Sequence, residues 1–171
     1  MDKVTIERIK LLHPKLRDEV TKIYAEICEK LEPKSGCRFA YTLRTNKEQD
    51  EIYAQGRTKP GKIVTWAKGG QSYHNYGLAI DIVLLLDLDG NGVKDVSWDI
   101  VKDYDGDHIS DWREIVEVFT KYGWEWGGNW NKPKTDTPHF QKTFGKSIME
   151  LKEIMNYKRT IVSFNYEYPI L

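Results

Sequence analysis

The stretch SYHNYGLAIDIVLLL, residues 72–86, decides how the chain is read. From Leu78 to Leu86 it is almost continuously apolar, as a strand buried on both faces is. Asp81 interrupts the run, and His74 lies just upstream. A buried carboxylate is costly unless something pairs with it. Side chains alternate along a strand, so Asp81 shares a face with Ala79 and Val83. Ala79 is small and leaves room beside the carboxylate. Gly77 permits a tight turn that brings His74 back over Asp81.

Outward from this strand the pattern is mixed. Leu16, Val20, Ile23, Tyr24, Ile27, Cys28 and Leu31 share one helical face, which predicts a helix over 14–31 with Pro14 in its first turn. A shorter helix is expected from Thr5 to Leu12, with His13 on the surface between the two. Residues 32–36 form a breaker. Cys37 to Leu43 alternates as a strand does, and Thr45 with Glu48 makes a capping box for a helix ending at Gly56. A long loop, 57–73, leads to the Asp81 strand. An acidic, glycine-bearing insert follows from Asp87, then a helix from Asp111 to Tyr122. GWEWGGNW and PHFQKTF supply strand segments, Ser147–Tyr157 a last helix, and the tail has strand-like composition without an evident role. No internal repeat or linker divides the chain, so one α+β domain over 1–171 is expected, with the acidic insert at about 87–114.

The chain has 171 residues with 26 basic and 26 acidic side chains, and this balance argues against a nucleic-acid or membrane footprint. The N-terminus lacks the apolar core of a signal peptide. Synthesis in the cytoplasm is therefore expected, with release by another route if the protein works outside. Cys28 and Cys37 match no zinc spacing and read as small buried residues, with a disulfide left open.

Two ligands from one strand-and-turn unit, His74 and Asp81, need a third to make a catalytic zinc site with a position left for water. His108 lies within the acidic insert. His139, in TDTPHFQ, is the better third ligand. Asp136, three residues earlier, is placed to take a proton from the attacking water without binding the metal.

Ser72-x-His74-x-x-Gly77-x-Ala79-x-Asp81, with Asp136-x-x-His139 later, resembles the zinc peptidases that cut D-amino-acid-containing peptides of bacterial cell walls. The wider resemblance runs from Leu43-Arg44-Thr45 through Tyr53-Ala-Gln-Gly-Arg57 to Phe140. It implies an antiparallel sheet with flanking helices, a fold shared with hedgehog signalling domains. It also implies zinc on His74, Asp81 and His139, Asp136 as general base and then acid, and Arg44 on the substrate or the developing oxyanion. Arg57 and Ser72 are implied as substrate contacts. YAQGRTKPGKIVT and Asp at position 136 look most like the L-alanyl-D-glutamate endopeptidase branch, which contains many phage lysins. The expected substrate is bacterial peptidoglycan, acted on after release, by a monomer. The alternatives are a D-Ala-D-Ala carboxypeptidase or dipeptidase, and a non-catalytic zinc- and calcium-binding module.

The insert carries two loop patterns. Asp87-x-Asp89-x-Asn91-Gly92-x-x-Asp95 opens like an EF-hand loop but has Trp98 where the bidentate glutamate belongs, so a simple turn suffices. In the second, Asp103, Asp105, Asp107, Asp111 and Glu114 put five carboxylates within twelve residues at ligand positions, with the Ile109 carbonyl between them. Its departure is His108 where EF-hands place glycine. Carboxylates so crowded repel one another without a cation, which makes calcium the expected ligand.

Overall fold

The computed structural model describes every residue except Glu32, Lys34 and Leu88. Two of these fall in the expected breaker and one in the first acidic loop, so those parts of the reading lie outside the described residues.

Helices α1 (Lys3–Lys10) and α2 (Arg17–Leu31) precede strand β1 (Ser35–Tyr41) and helix α3 (Asn46–Ala54). Strands β2 (Ala79–Leu86) and β3 (Asp95–Ser97) lead to α4 (Asp111–Lys121), then β4 (Glu125–Trp126), β5 (His139–Gln141) and α5 (Ile148–Asn156). The tail folds into β6 (Thr160–Ser163) and β7 (Tyr166–Pro169). The main sheet runs β1-β2-β5-β4, with β3 also paired to β2, and its pairings are antiparallel. This is the expected α+β fold.

The apolar run makes β2 the centre of the sheet. It is covered by β1 on one side and by β5 and β3 on the other. Only Asp81 among its residues is not fully buried. The predicted face of α2 packs inward, as do Trp112, Ile115, Val118 and Phe119 of α4. Phe119 stacks on Phe140 of β5 with ring centroids 4.3 Å apart. Burying an aromatic pair this way ties α4 to the strand that carries His139.

Local sequence signals hold well. Thr45 and Glu48 form both bonds of the capping box at α3. Gly77 sits at φ +67°, and a Cβ there would stand 2.7 Å from the backbone nitrogen of His13, so the turn before β2 requires glycine. Boundaries shift where pairing decides them. Pro14–Leu16 form a 3₁₀ turn, and the α-helix begins only at Arg17. β1 starts at Ser35, opposite Leu86, and ends at Tyr41 rather than Leu43. Cys28 and Cys37 are buried and not joined by a disulfide. No helix among the described residues is long and apolar enough to cross a membrane.

The tail corrects one expectation. His13 is not on the surface: it is completely buried. Its Nδ1 accepts from the Lys15 N–H, so Nε2 carries the proton and donates to the Pro169 carbonyl at 2.9 Å. Tyr168 meets the ring edge-on and donates its hydroxyl to the Leu11 carbonyl. The β6–β7 hairpin thus closes over the turn between α1 and α2.

Burial lowers the pKa of His13 below the ordinary 6.5, against the opposing bond to Pro169. The folded state therefore prefers the neutral ring, while the unfolded chain takes up a proton below about pH 6.5. This contribution to stability is full above that pH and is lost as pH falls through the folded-state pKa. Thermal unfolding between pH 8 and 5 is expected to show a steeper acid loss in the native protein than in His13→Gln, measured against each protein's own value at pH 8.

Candidate metal centre

Three segments bring His74, Asp81 and His139 together. The 3₁₀ turn Tyr73–Tyr76 is capped by Ser72, whose hydroxyl accepts from the His74 N–H, and it ends at Gly77. That turn folds His74 back beside β2. Asp81 faces His139 directly across the β2–β5 pairing. His74 Nε2, His139 Nδ1 and Asp81 Oδ1 form a near-equilateral triangle with edges of 3.1, 3.1 and 3.2 Å. Tetrahedral ligands at about 2.0 Å from zinc stand roughly 3.3 Å apart, so this donor set fits zinc in both type and spacing. His74 and His139 are almost fully buried, while Asp81 keeps a narrow opening.

The atoms facing away from the triangle are also held. His74 Nδ1 donates to the Thr42 carbonyl at 2.6 Å, which leaves Nε2 as the lone-pair nitrogen. His139 Nε2 lies 3.1 Å from Gln141 Oε1. The second oxygen of Asp81 accepts from Arg44 at 3.3 Å, and Arg44 is steadied by Gln49 and by the face of Tyr41. Burial raises the pKa of Asp81, but the His74 and His139 imidazoles facing it outweigh that effect and hold the carboxyl well below its usual range. Burial likewise lowers the pKa of His139, and the bond and charge of Asp81 more than reverse it.

Asp136 reaches solvent at the rim of this centre. The protein walls around its carboxyl still remove water, and together with the nearby charge of Asp81 they raise its pKa. The histidines and Arg44 act in the opposite sense. A carboxyl pushed towards neutral pH beside a metal site is suited to proton transfer. Its segment is fixed by Gly127, whose carbonyl accepts from the Asp136 N–H at 3.0 Å. A Cβ on Gly127 would stand 2.5 Å from the Asp136 carbonyl oxygen. Trp130 lies over His139 with ring centroids 5.2 Å apart, so it walls the centre, whereas Trp124 is in the core.

The remaining candidates are engaged in structural contacts. Arg57 donates to the carbonyls of Tyr53 and Thr65 and stacks between the rings of Tyr53 and Trp66. These contacts pin the 57–73 loop. The Ser72 hydroxyl is engaged in the cap that positions His74. Sequence reading did not single out Thr42, Gln141 or Glu125. Only His139-x-Gln141, two positions apart on one strand face, offered a local signal.

The second acidic loop converges as its pattern predicts. Oxygens of Asp103, Asp105 and Asp111 lie within 4.8 Å of one another, as do those of Asp105, Asp107 and Glu114. Asp111 and Glu114, in the first turn of α4, are 0% and 2% exposed. Asp111 Oδ2 and Glu114 Oε2 are buried without a hydrogen-bond partner. Burial, then Asp107 and Asp111, raises the pKa of Asp105, and burial, then Asp107 and Asp105, raises that of Glu114. His108 takes φ +77°, the glycine-like conformation the loop needs at that position.

Two comparisons bear on this geometry. A family model described as D-alanyl-D-alanine carboxypeptidase matches residues 65–142. The peptidoglycan L-alanyl-D-glutamate endopeptidase CwlK of Bacillus subtilis (strain 168) is 52% identical over 99 residues, which cover 58% of this chain and 56% of that protein. The chain thus spans little more than half the length of this relative. The matched segment holds His74, Asp81, Asp136 and His139. That segment, and with it the candidate metal centre, is similar to the family described as D-alanyl-D-alanine carboxypeptidase and to CwlK.

Proposed function

We propose that the protein is a zinc peptidase that hydrolyses the stem peptides of bacterial peptidoglycan at the L-alanyl-D-glutamate bond. The observation that carries this reading is the His74–Asp81–His139 triangle with the carboxyl of Asp136, its pKa raised, at its rim. The choice of bond rests on the likeness to CwlK.

Zinc held by the three residues would lower the pKa of a water to about 7 and polarise the scissile carbonyl. Asp136 accepts the proton of the attacking water and returns it to the leaving amine. Arg44 fixes the second oxygen of Asp81 with one edge of its guanidinium and adds positive charge where the carbonyl oxygen becomes negative. The Trp130 ring keeps solvent away from His139.

Mass spectrometry of products from purified peptidoglycan distinguishes the readings. L-Ala-terminated stems and peptides beginning with D-Glu are expected. Asp136→Ala should lose about 10²–10⁴-fold in turnover while retaining zinc. Release of D-Ala would instead indicate a carboxypeptidase, and zinc binding without any product would indicate a binding module.

For the second acidic loop the reading is a calcium site, formed by Asp103, Asp105, Asp107, the Ile109 carbonyl, Asp111 and Glu114. The buried, unpartnered oxygens of Asp111 and Glu114 favour it over a solvated loop. Calcium at a hundred times its dissociation constant would add about 2.7 kcal/mol of stability. Calorimetry on resin-stripped, zinc-loaded protein should show a melting temperature several degrees higher with calcium chloride, and no rise in Glu114→Gln. An unchanged melting temperature in the native protein would rule the site out.

A further inference from the structure

The hydrogen bonds behind His139 continue away from the metal centre. Glu125 of β4 and Gln141 of β5 are cross-strand partners, and Gln141 shares a face of β5 with His139. Gln141 Oε1 is 3.1 Å from His139 Nε2, and Gln141 Nε2 donates to Glu125 Oε2 at 2.9 Å. The other oxygen of Glu125 accepts from the indole N–H of Trp130. Trp130 itself lies against the His139 ring.

We propose that Glu125, Gln141 and Trp130 form a positioning relay that holds His139 as an Nδ1 metal ligand. This rests on the zinc reading of the centre. The directions follow from donor and acceptor chemistry alone. A carboxylate only accepts, so both Glu125 oxygens must face donors, and the Gln141 amide must turn its NH₂ towards Glu125. Its carbonyl then faces His139 and can only accept. In the neutral ring that a metal requires, the proton therefore sits on Nε2, and Nδ1 keeps its lone pair towards the space it shares with Asp81 and His74. The relay is a carboxylate–histidine pair with an amide inserted between them. It fixes tautomer and ring angle together, and the distal negative charge makes the ligating nitrogen a better donor.

The chain has one weak point that a substitution can expose. An amide at position 125 accepts at one end only. With Trp130 and Gln141 both donating to it, one donor is left facing an NH₂, or Gln141 turns and presents N–H to N–H at His139. Removing the indole donor relieves the conflict, because the new amide can then turn its oxygen to Gln141.

The test is the zinc dissociation constant of the full chain, measured by competition with a chromophoric chelator at fixed pH. Unfolding of each metal-free protein is followed alongside. Gln141→Met should weaken zinc binding about 10–100-fold, and Glu125→Gln several-fold. Glu125→Gln combined with Trp130→Phe should recover most of the loss, which a merely structural role for Glu125 would not produce. Native-like affinity in both Gln141→Met and Glu125→Gln would overturn the relay. So would a loss in Glu125→Gln that the second substitution deepens. A native protein that takes up no zinc would instead overturn the metal reading on which the relay stands.

Discussion

The fold turns on one electrostatic constraint: a carboxylate in the middle of the most apolar strand of the sheet. Asp81 lies between β1 and β5, with His139 opposite it on one side and Tyr41 on the other. Nothing in a hydrocarbon strand compensates such a charge, so the surroundings supply the compensation. Arg44 takes one oxygen, and two imidazoles converge on the other. A histidine that serves as a metal ligand is neutral, so the imidazoles alone leave the charge only partly answered. A divalent cation would complete the balance, and the spacing of the three donor atoms suits one.

What the sequence made legible was local. The apolar run, the glycine before it and the Thr45–Glu48 box each act through neighbours a few residues away, and each appears in the structure as expected. The metal centre was partly legible because Gly77 and strand alternation bring His74 and Asp81 together within one short unit. The third candidate, His139, came from weighing the four histidines against one another, since nothing local ties it to an aspartate 58 residues earlier. His13 could not be read, because its partner Pro169 lies 156 residues away. Arg57 looked like a ligand for substrate, yet its partners are backbone carbonyls whose positions no side-chain pattern encodes. The Glu125–Gln141 contact depends on the register of two short strands and leaves no trace in composition.

The two acidic groupings show opposite physics. At the metal centre positive groups surround one carboxylate and hold it ionised. In the loop before α4 carboxylates crowd one another, and burial together with that crowding raises the pKa of Asp105 and Glu114. Helix α4 touches both places. Its first turn contributes Asp111 and Glu114 to the loop, and Phe119, two turns along, stacks on the residue next to His139. One rigid element therefore borders both charge clusters.

The donors of the metal centre come from chain segments as much as 65 residues apart, drawn from a turn and two strands. An unfolded chain scatters them and holds a metal far more weakly, so the affinity of the centre is also a contribution to folding. In surroundings rich in chelators the first loss need not be turnover. It would be the tie between the 3₁₀ turn at His74 and the β2–β5 pairing, and with it the resistance of those segments to other proteases. Persistence of the fold would then depend on the supply of a trace metal as much as on the strength of the core.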